Sequence, residues 1–169
     1  MAEQLTTLLR PSCERIEVAG SVRRKKEMVG DVELLVIPKA AVQSPLWLER
    51  EALDSRVMEL MEQKILGYRL NEKGRKSYGR WNKMLVHVPS GIGVDLFSTT
   101  VENFGMALMV RTGSAAFVVQ FMTRLKSLGK AGHAYGGISI SDGTEMTCPT
   151  EEIVFRELLW RFRPPEERG

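Results

Sequence analysis

Residues 18–37, VAGSVRRKKEMVGDVELLVI, contain the features that decide the fold of this chain. Gly20 lets the backbone approach a ligand closely, and Ser21 can cap a short basic helix predicted over residues 22–28. A hydroxyl beside the free N–H groups of a helix N-terminus suits a phosphate group. Arg24, one turn into that helix, adds a planar guanidinium that matches phosphate oxygens. The first half of the stretch therefore predicts a phosphate-binding turn.

The second half of the stretch places two carboxylates on one strand. Nine residues separate Ser21 from Asp31, and Asp31 and Glu33 stand at alternate positions of a strand predicted over residues 32–37. Alternate residues of a strand project from the same face. Two neighbouring carboxylates repel each other unless a cation lies between them, and an all-oxygen ligand set favours Mg²⁺, with Mn²⁺ as the alternative. Asp95, on a later strand, is the third candidate ligand if its strand lies beside the first.

Outside this stretch, basic side chains concentrate in residues 64–83, which contain seven Lys or Arg residues and a single acidic residue, Glu72. The net charge of the chain is only +3, and its last 69 residues are balanced. The cluster therefore predicts a surface that binds the phosphates of a nucleic acid, and a solvated face without a partner is the alternative. The candidate DNA-binding residues are Lys73, Arg75, Lys76 and Arg80.

Length and composition indicate a globular protein. With 169 residues, 43% of them hydrophobic and 27% charged, the chain can bury a core, and no apolar run is long enough to cross a membrane. The N-terminus does not resemble a secretory signal, so a cytoplasmic location is expected. Two distant cysteines, Cys13 and Cys148, are expected to be free thiols, although a single disulfide remains an alternative.

Hydrophobic periodicity and turn residues predict an α+β chain. We expect helices over residues 2–9 and 46–66, and a hairpin formed by residues 84–88 and 94–98. A helix opened by Thr112-Gly113-Ser114 should bury Phe117, Phe121, Leu125 and Leu128, and it should be followed by two short strands and a helix capped by Thr150. The predicted organisation is a larger mixed α/β lobe, residues 1–104, and a smaller α+β lobe, residues 105–169.

The spacing of Gly20-Ser21, Asp31-Val-Glu33 and the later Asp95 resembles the signature of the polymerase-beta-type nucleotidyltransferase superfamily. The turn Val110-Arg-Thr-Gly-Ser114 and the C-terminal segment 151–168 resemble the nucleotide-binding subdomain of family X DNA polymerases. The resemblance extends from about residue 5 to residue 168, and it implies a bacterial, phage or viral context. It implies a polymerase palm, with a mixed sheet and flanking helices, followed by a small nucleotide-binding subdomain.

The resemblance also implies roles for individual residues. Asp31, Glu33 and Asp95 would hold two Mg²⁺ or Mn²⁺ ions, and Asp95 would accept the proton of the primer 3′-hydroxyl. The residues that would bind the incoming nucleotide are Gly20, Ser21, Arg24, Gly30, Arg111, Thr112 and Gly113. The expected partners are deoxynucleoside triphosphates and gapped or primer–template DNA, and the protein is expected to be a monomer.

Four positions depart from the family pattern. Glu33 stands where the polymerases usually have Asp, and Gly93 stands where an arginine often precedes the third carboxylate by two residues. Val110-Arg111 replaces a common aromatic pair, and Ala115 and Val118 replace an Asp and an Asn. These departures concern nucleotide selection more than the chemical step.

The sequence therefore predicts a DNA polymerase that transfers a deoxynucleotide to a primer 3′-hydroxyl, releases pyrophosphate and fills short gaps during DNA repair. One alternative is a nucleotidyltransferase that acts on RNA, a protein or a small molecule. The other is a nucleic-acid-binding protein that has kept the fold without the activity.

Overall fold

The central feature of the fold is a mixed β-sheet of five strands.

The computed structural model describes residues 1–40, 52–133, 135, 137–140 and 142–169. These divide into two units: unit 1 comprises Met1–Val18 and Gly30–Ser98, and unit 2 comprises Ala19–Val29 and Thr99–Gly169. The predicted lobe boundary after residue 104 stays a prediction about domain organisation.

The described residues form six α-helices and eight strands. The α-helices are α1 (Ala2–Leu9), α2 (Gly20–Arg23), α3 (Ala52–Glu62), α4 (Phe104–Thr112), α5 (Ala115–Ser127) and α6 (Glu151–Glu157). The strands are β1 (Cys13–Val18), β2 (Asp31–Pro38), β3 (Leu66–Tyr68), β4 (Asn82–His87), β5 (Ile92–Ser98), β6 (Lys130–His133), β7 (Gly137–Ile140) and β8 (Glu145–Met146). Within the described ranges, no helix is long and apolar enough to cross a membrane. The N-terminal part of the predicted helix 46–66 lies outside the described residues.

In unit 1, five strands form one sheet in the order β1-β2-β5-β4-β3. Strand β2 pairs in parallel with β5, whereas the other neighbours are antiparallel. The mixed sheet and the β4–β5 hairpin agree with the α+β fold that the sequence predicts. Because β2 is flanked by β1 and β5, it runs through the interior of the sheet.

The core of unit 1 lies on one face of this sheet. Apolar residues of α1 and α3 pack there against alternate residues of the strands, among them Leu34 of β2 and Leu96 of β5, both fully buried. Residues 33 and 95 therefore project from the opposite face, because neighbouring side chains along a strand alternate. On that opposite face Leu35 and Phe97 are also buried, whereas residues 31 and 33 are half-buried.

In unit 2, α4, α5 and α6 pack with the antiparallel sheet β6-β7-β8. Phe117, Phe121 and Leu125 of α5 are buried as predicted, whereas Leu128, beyond the end of the helix, is half-buried. Helix α4 was not predicted. Gly105 allows it to lie against residues 148–150, since an ideal Cβ at Gly105 would be 2.1 Å from the carbonyl carbon of Thr150.

One predicted helix cap was wrong, and the other stands at the predicted position without a capping hydrogen bond. Helix α2 begins at Gly20, so Ser21 lies inside the helix instead of capping it, and the helix ends at Arg23 instead of residue 28. Lys25 has a φ of 55°, outside the right-handed helical region. Thr150 precedes α6, but its side chain makes no capping hydrogen bond.

Cys13 and Cys148 are buried free thiols. Burial raises the pKa of each thiol, and at Cys148 the negative charge of Glu157 raises it further. A raised pKa disfavours the thiolate, so both side chains behave as small apolar residues of their cores.

A buried carboxylate connects the separate segments of unit 2. Glu151, at the start of α6, accepts two hydrogen bonds from Arg23 of α2, at 2.9 and 2.8 Å. It also accepts two from the fully buried Arg168, at 2.6 and 3.2 Å. Burial raises the pKa of Glu151, but the hydrogen bonds and positive charges of the two arginines outweigh burial and leave the pKa below its usual value. The carboxylate is therefore ionised and held by both guanidinium groups.

We expect Glu151→Gln to lower the free energy of unfolding by about 3 kcal/mol, because it leaves two guanidinium groups without a compensating charge. The lowered pKa means that the wild-type contribution is complete above the ordinary carboxyl pKa of about 4.3 and is lost as the pH falls through the folded-state value. Urea unfolding at pH 7 and at decreasing pH measures both effects. The exposed neighbour Glu152 provides the control, since Glu152→Gln should change stability by less than about 0.5 kcal/mol. Equal losses from the two substitutions would contradict this account.

Candidate active site

Three carboxylates share one face of the sheet in unit 1. The parallel register between β2 and β5 places Glu33 opposite Asp95 and Asp31 opposite Gly93. Registered residues of parallel strands point to the same side, and Asp31 and Glu33 are two residues apart. We call the surface formed by Asp31, Glu33 and Asp95 the acidic face. It lies opposite the face on which α1 and α3 pack.

The acidic face has the donor type that a divalent cation of the Mg²⁺ class prefers, because all three side chains offer carboxylate oxygens. Asp95 is about nine-tenths buried, and Asp31 and Glu33 are half-buried. Within the described part of the chain, no three His, Cys, Asp or Glu side chains stand close enough to form a metal site. The residues therefore fit a cation in donor type and strand register, but their side chains do not form a metal-binding cluster in this arrangement, and the two-metal site stays a prediction.

Asp95 instead contacts a basic side chain that the sequence analysis did not place at the site. Nη2 of Arg69, the residue after β3, lies 2.5 Å from Oδ1 of Asp95. The sequence had assigned Arg69 to the basic cluster of residues 64–83. The one sequence feature related to this contact is the absence of a side chain at Gly93, and its meaning is visible only in the folded protein.

The predicted nucleotide-binding residues, except Gly30, belong to unit 2. Arg23 donates a hydrogen bond to the hydroxyl of Thr112 at 2.7 Å, and Arg24 donates to the Thr112 carbonyl oxygen. An ideal Cβ at Gly113 would be 3.0 Å from Arg24 Nη1, and Gly113 has a φ of 68°. The structure therefore brings the α2 segment, including Ser21, together with the Thr112–Gly113 turn.

The contacts of Thr112 limit what its side chain can offer to a ligand. Thr112 is fully buried, and its hydroxyl accepts the hydrogen bond from Arg23. Arg23 is a second functional candidate that the sequence analysis missed, since its partners Thr112 and Glu151 are distant in sequence. A contact between Thr112 and a nucleotide would therefore involve the backbone of this turn.

Arg111 and Gly30 have different surroundings. Arg111 Nη2 is 2.5 Å from the hydroxyl of Tyr135, and the guanidinium carbon lies 5.1 Å from the centre of that ring. Gly30 is exposed, and an ideal Cβ there would meet no atom within 4 Å. Packing therefore does not require a glycine at position 30, and its role in nucleotide binding stays a prediction.

The predicted DNA-binding residues lie on an exposed loop of unit 1. Lys73, Arg75, Lys76 and Arg80 are all exposed. The side chain of Asn71 accepts hydrogen bonds from the backbone N–H groups of residues 73 and 75, at 3.0 and 2.9 Å, which fixes the turn. The loop thus presents a group of cations on an ordered backbone.

Two other cations of the same cluster have structural contacts. Lys83 is 1% exposed and lies 3.2 Å from Asp54 of α3, which also accepts a hydrogen bond from Tyr78. Arg69 contacts the acidic face. The positive charge that the sequence analysis treated as one cluster is therefore divided between the exposed loop and these internal contacts.

The chain is distantly similar to viral DNA polymerases over nearly its whole length. It is 23% identical to "Repair DNA polymerase X" of African swine fever virus (strain Badajoz 1971 Vero-adapted) over 164 residues, which are 95% of this chain and 85% of that protein. It is 22% identical, over the same shares, to the protein of that name from isolate Warthog/Namibia/Wart80/1980. No family model matches the chain. The similarity supports a relationship to polymerases of the X type, in agreement with the resemblance carried by the sequence motifs.

Proposed function

We propose that this protein is a DNA polymerase that adds a deoxynucleotide to the 3′-hydroxyl of a primer at short gaps and releases pyrophosphate. The observation that carries the proposal is the register between β2 and β5, which sets Glu33 beside Asp95 on the face that also bears Asp31. The similarity to viral polymerases, which spans both units, supports the same reaction.

The three carboxylates have distinct tasks in the proposed reaction. Asp31, Glu33 and Asp95 would hold divalent ions, which supply stabilisation for the charge on the attacking and leaving oxygens. Asp95 would accept the proton of the primer hydroxyl, directly or through a water molecule, as the bond from the 3′-oxygen to the α-phosphorus forms. The bond from that phosphorus to pyrophosphate breaks. The rest of the protein contributes by positioning the reactants.

The proposal also includes binding of the incoming nucleotide. Ser21, Arg24 and the Thr112–Gly113 turn are candidates within unit 2, where Arg24 contacts the turn directly. Ser21 lies inside α2. Its proposed contact with a phosphate group therefore does not depend on helix capping. Arg111, which contacts the hydroxyl of Tyr135, is the candidate for selection of the sugar.

We expect the protein to insert a template-directed deoxynucleotide into a one-nucleotide gap with Mg²⁺ or Mn²⁺. Asp31→Asn and Asp95→Asn should each lower kcat at least about 1000-fold, since each removes a charged ligand from the site. Glu33→Asp, which keeps the charge and shortens the side chain, should retain most of the activity, whereas Glu33→Gln should lose it. Extension of a labelled primer, with each deoxynucleotide and ribonucleotide offered singly, measures these effects.

Asp142→Asn, in an exposed turn of unit 2, is the matched control and should extend primers as the wild type does. Addition that ignores the template base would indicate a terminal transferase instead. No addition with either metal by the folded wild-type protein would reject the proposal and favour a different substrate or an inactive nucleic-acid-binding protein.

We expect DNA affinity to fall steeply with salt, and the basic loop to account for much of that dependence. Replacing Lys73, Arg75 and Lys76 together with alanine should reduce the slope of log affinity against log salt by about 2–3, because each lost phosphate contact lowers it by about 0.9. Fluorescence anisotropy with a labelled gapped duplex measures the slope. A triple alanine variant of the exposed residues Arg10, Lys39 and Lys126 removes the same charge elsewhere. If both variants reduce the slope equally, the loop is not the DNA contact.

A further inference from the structure

Arg69 enters the acidic face from the edge of the sheet. Its backbone N–H donates to the carbonyl oxygen of Met84 at 3.2 Å, which fixes the start of its side chain beside β4. Met84 pairs in register with Asp95 on β5. The side chain of Arg69 can therefore reach across β4 to the carboxylates.

The guanidinium group of Arg69 contacts one residue of β4 and one residue of β5. Nη2 lies 2.5 Å from Oδ1 of Asp95 and 3.3 Å from the sulfur of Met84. Asp95 is 10% exposed at its side chain, whereas Arg69 is 36% exposed. The ion pair is thus formed at a carboxylate that is largely removed from water, where charge interactions are stronger than at an open surface.

Gly93 provides the space that the guanidinium group occupies. An ideal Cβ at Gly93 would be 2.2 Å from Nη1 of Arg69, so any other residue there would displace this group. The backbone at Gly93 does not require glycine, because its φ is not positive. The same Cβ would be 3.4 Å from the Cβ of Asp31, an ordinary contact. Space for Arg69 is therefore the structural reason for glycine at this position.

We propose that Arg69, lying over Gly93, is a positioning residue for Asp95: it holds the carboxylate on the acidic face and offsets part of the negative charge there. This inference rests on the proposed function, in which Asp95 binds a cation and accepts a proton. Three carboxylates on one face repel one another, and the guanidinium group reduces that repulsion. The same positive charge opposes a divalent cation that binds to these carboxylates.

The first test measures the affinity for Mn²⁺ without nucleotide or DNA, by electron paramagnetic resonance of the free ion. Arg69→Ala should bind Mn²⁺ about tenfold more tightly than the wild type, because a positive charge within a few ångströms of the ion is lost. Damage to the fold would weaken binding, so this direction separates positioning from a merely structural role. Arg10→Ala, which removes an exposed charge from the same unit, should leave the affinity unchanged.

The second test uses Gly93→Ala, which keeps the charge but moves the guanidinium group away from Asp95. The clash falls on the end of a flexible side chain, so the protein should fold, and thermal unfolding verifies this. We expect Mn²⁺ affinity within about threefold of the wild type and a kcat for gap insertion at least about tenfold lower. Arg69→Ala should lower kcat to a similar extent, and Arg69→Lys, which lacks the planar fork, should give an intermediate kcat.

Unchanged Mn²⁺ affinity in Arg69→Ala, or wild-type kcat in Gly93→Ala, would overturn the assignment of Arg69. These results are distinguishable from failure of the proposed function. If the wild type inserts no nucleotide but Arg69→Ala still tightens Mn²⁺ binding, the polymerase proposal fails and the contact between Arg69 and a metal-binding carboxylate stands. If the wild type binds no Mn²⁺, both fail.

Discussion

The parallel pairing of β2 with β5 is the constraint on which the candidate site depends. A shift of one residue in this register would move Asp95 away from Glu33. A one-residue change in the alternation of either strand would turn the carboxylates of that strand toward the apolar core. The register is secured because Val32, Leu34 and Val94 of the same strands are buried beneath α1 and α3. The hydrophobic core thus determines where the carboxylates stand, although no carboxylate takes part in it.

A second constraint operates within unit 2. The chain enters this unit twice, first through residues 19–29 and again from residue 99 onward. The ionised Glu151 joins the two passages, since it binds Arg23 from the first and Arg168 near the C-terminus. The segment with the Gly20-Ser21 turn is therefore fixed by a charge network inside unit 2 and not by helix capping. A buried carboxylate that binds two arginines is costly to separate from them. The conformation of residues 19–29 is therefore well determined.

Sequence predictions were correct where they depended on local patterns and were wrong or missing where contacts between distant residues determine the structure. Strands β2, β4 and β5 and the buried face of α5 were predicted because periodicity is a local signal. The mixed sheet was expected from the family resemblance, and the structure agrees with it. The cap at Ser21 was wrong because α2 begins one residue earlier, at Gly20. The contact of Arg23 with Glu151, more than a hundred positions away, could not be predicted from local sequence. Helix α4 was missed because nearly all of its residues are buried, so it lacks the alternation of apolar and polar faces that marks a surface helix.

The same reasoning applies to Gly93, which stands where an arginine is common in the family pattern. In a motif comparison, a glycine in place of an arginine indicates a lost positive charge near Asp95. In the folded protein a guanidinium group is present at that place, supplied by Arg69 from beyond the neighbouring strand, and the glycine is what admits it. The charge balance of the acidic face therefore depends on two residues that are neighbours only across the sheet. A substitution that appears unfavourable along the sequence is compatible with an intact site when a residue from beyond the adjacent strand provides the missing group.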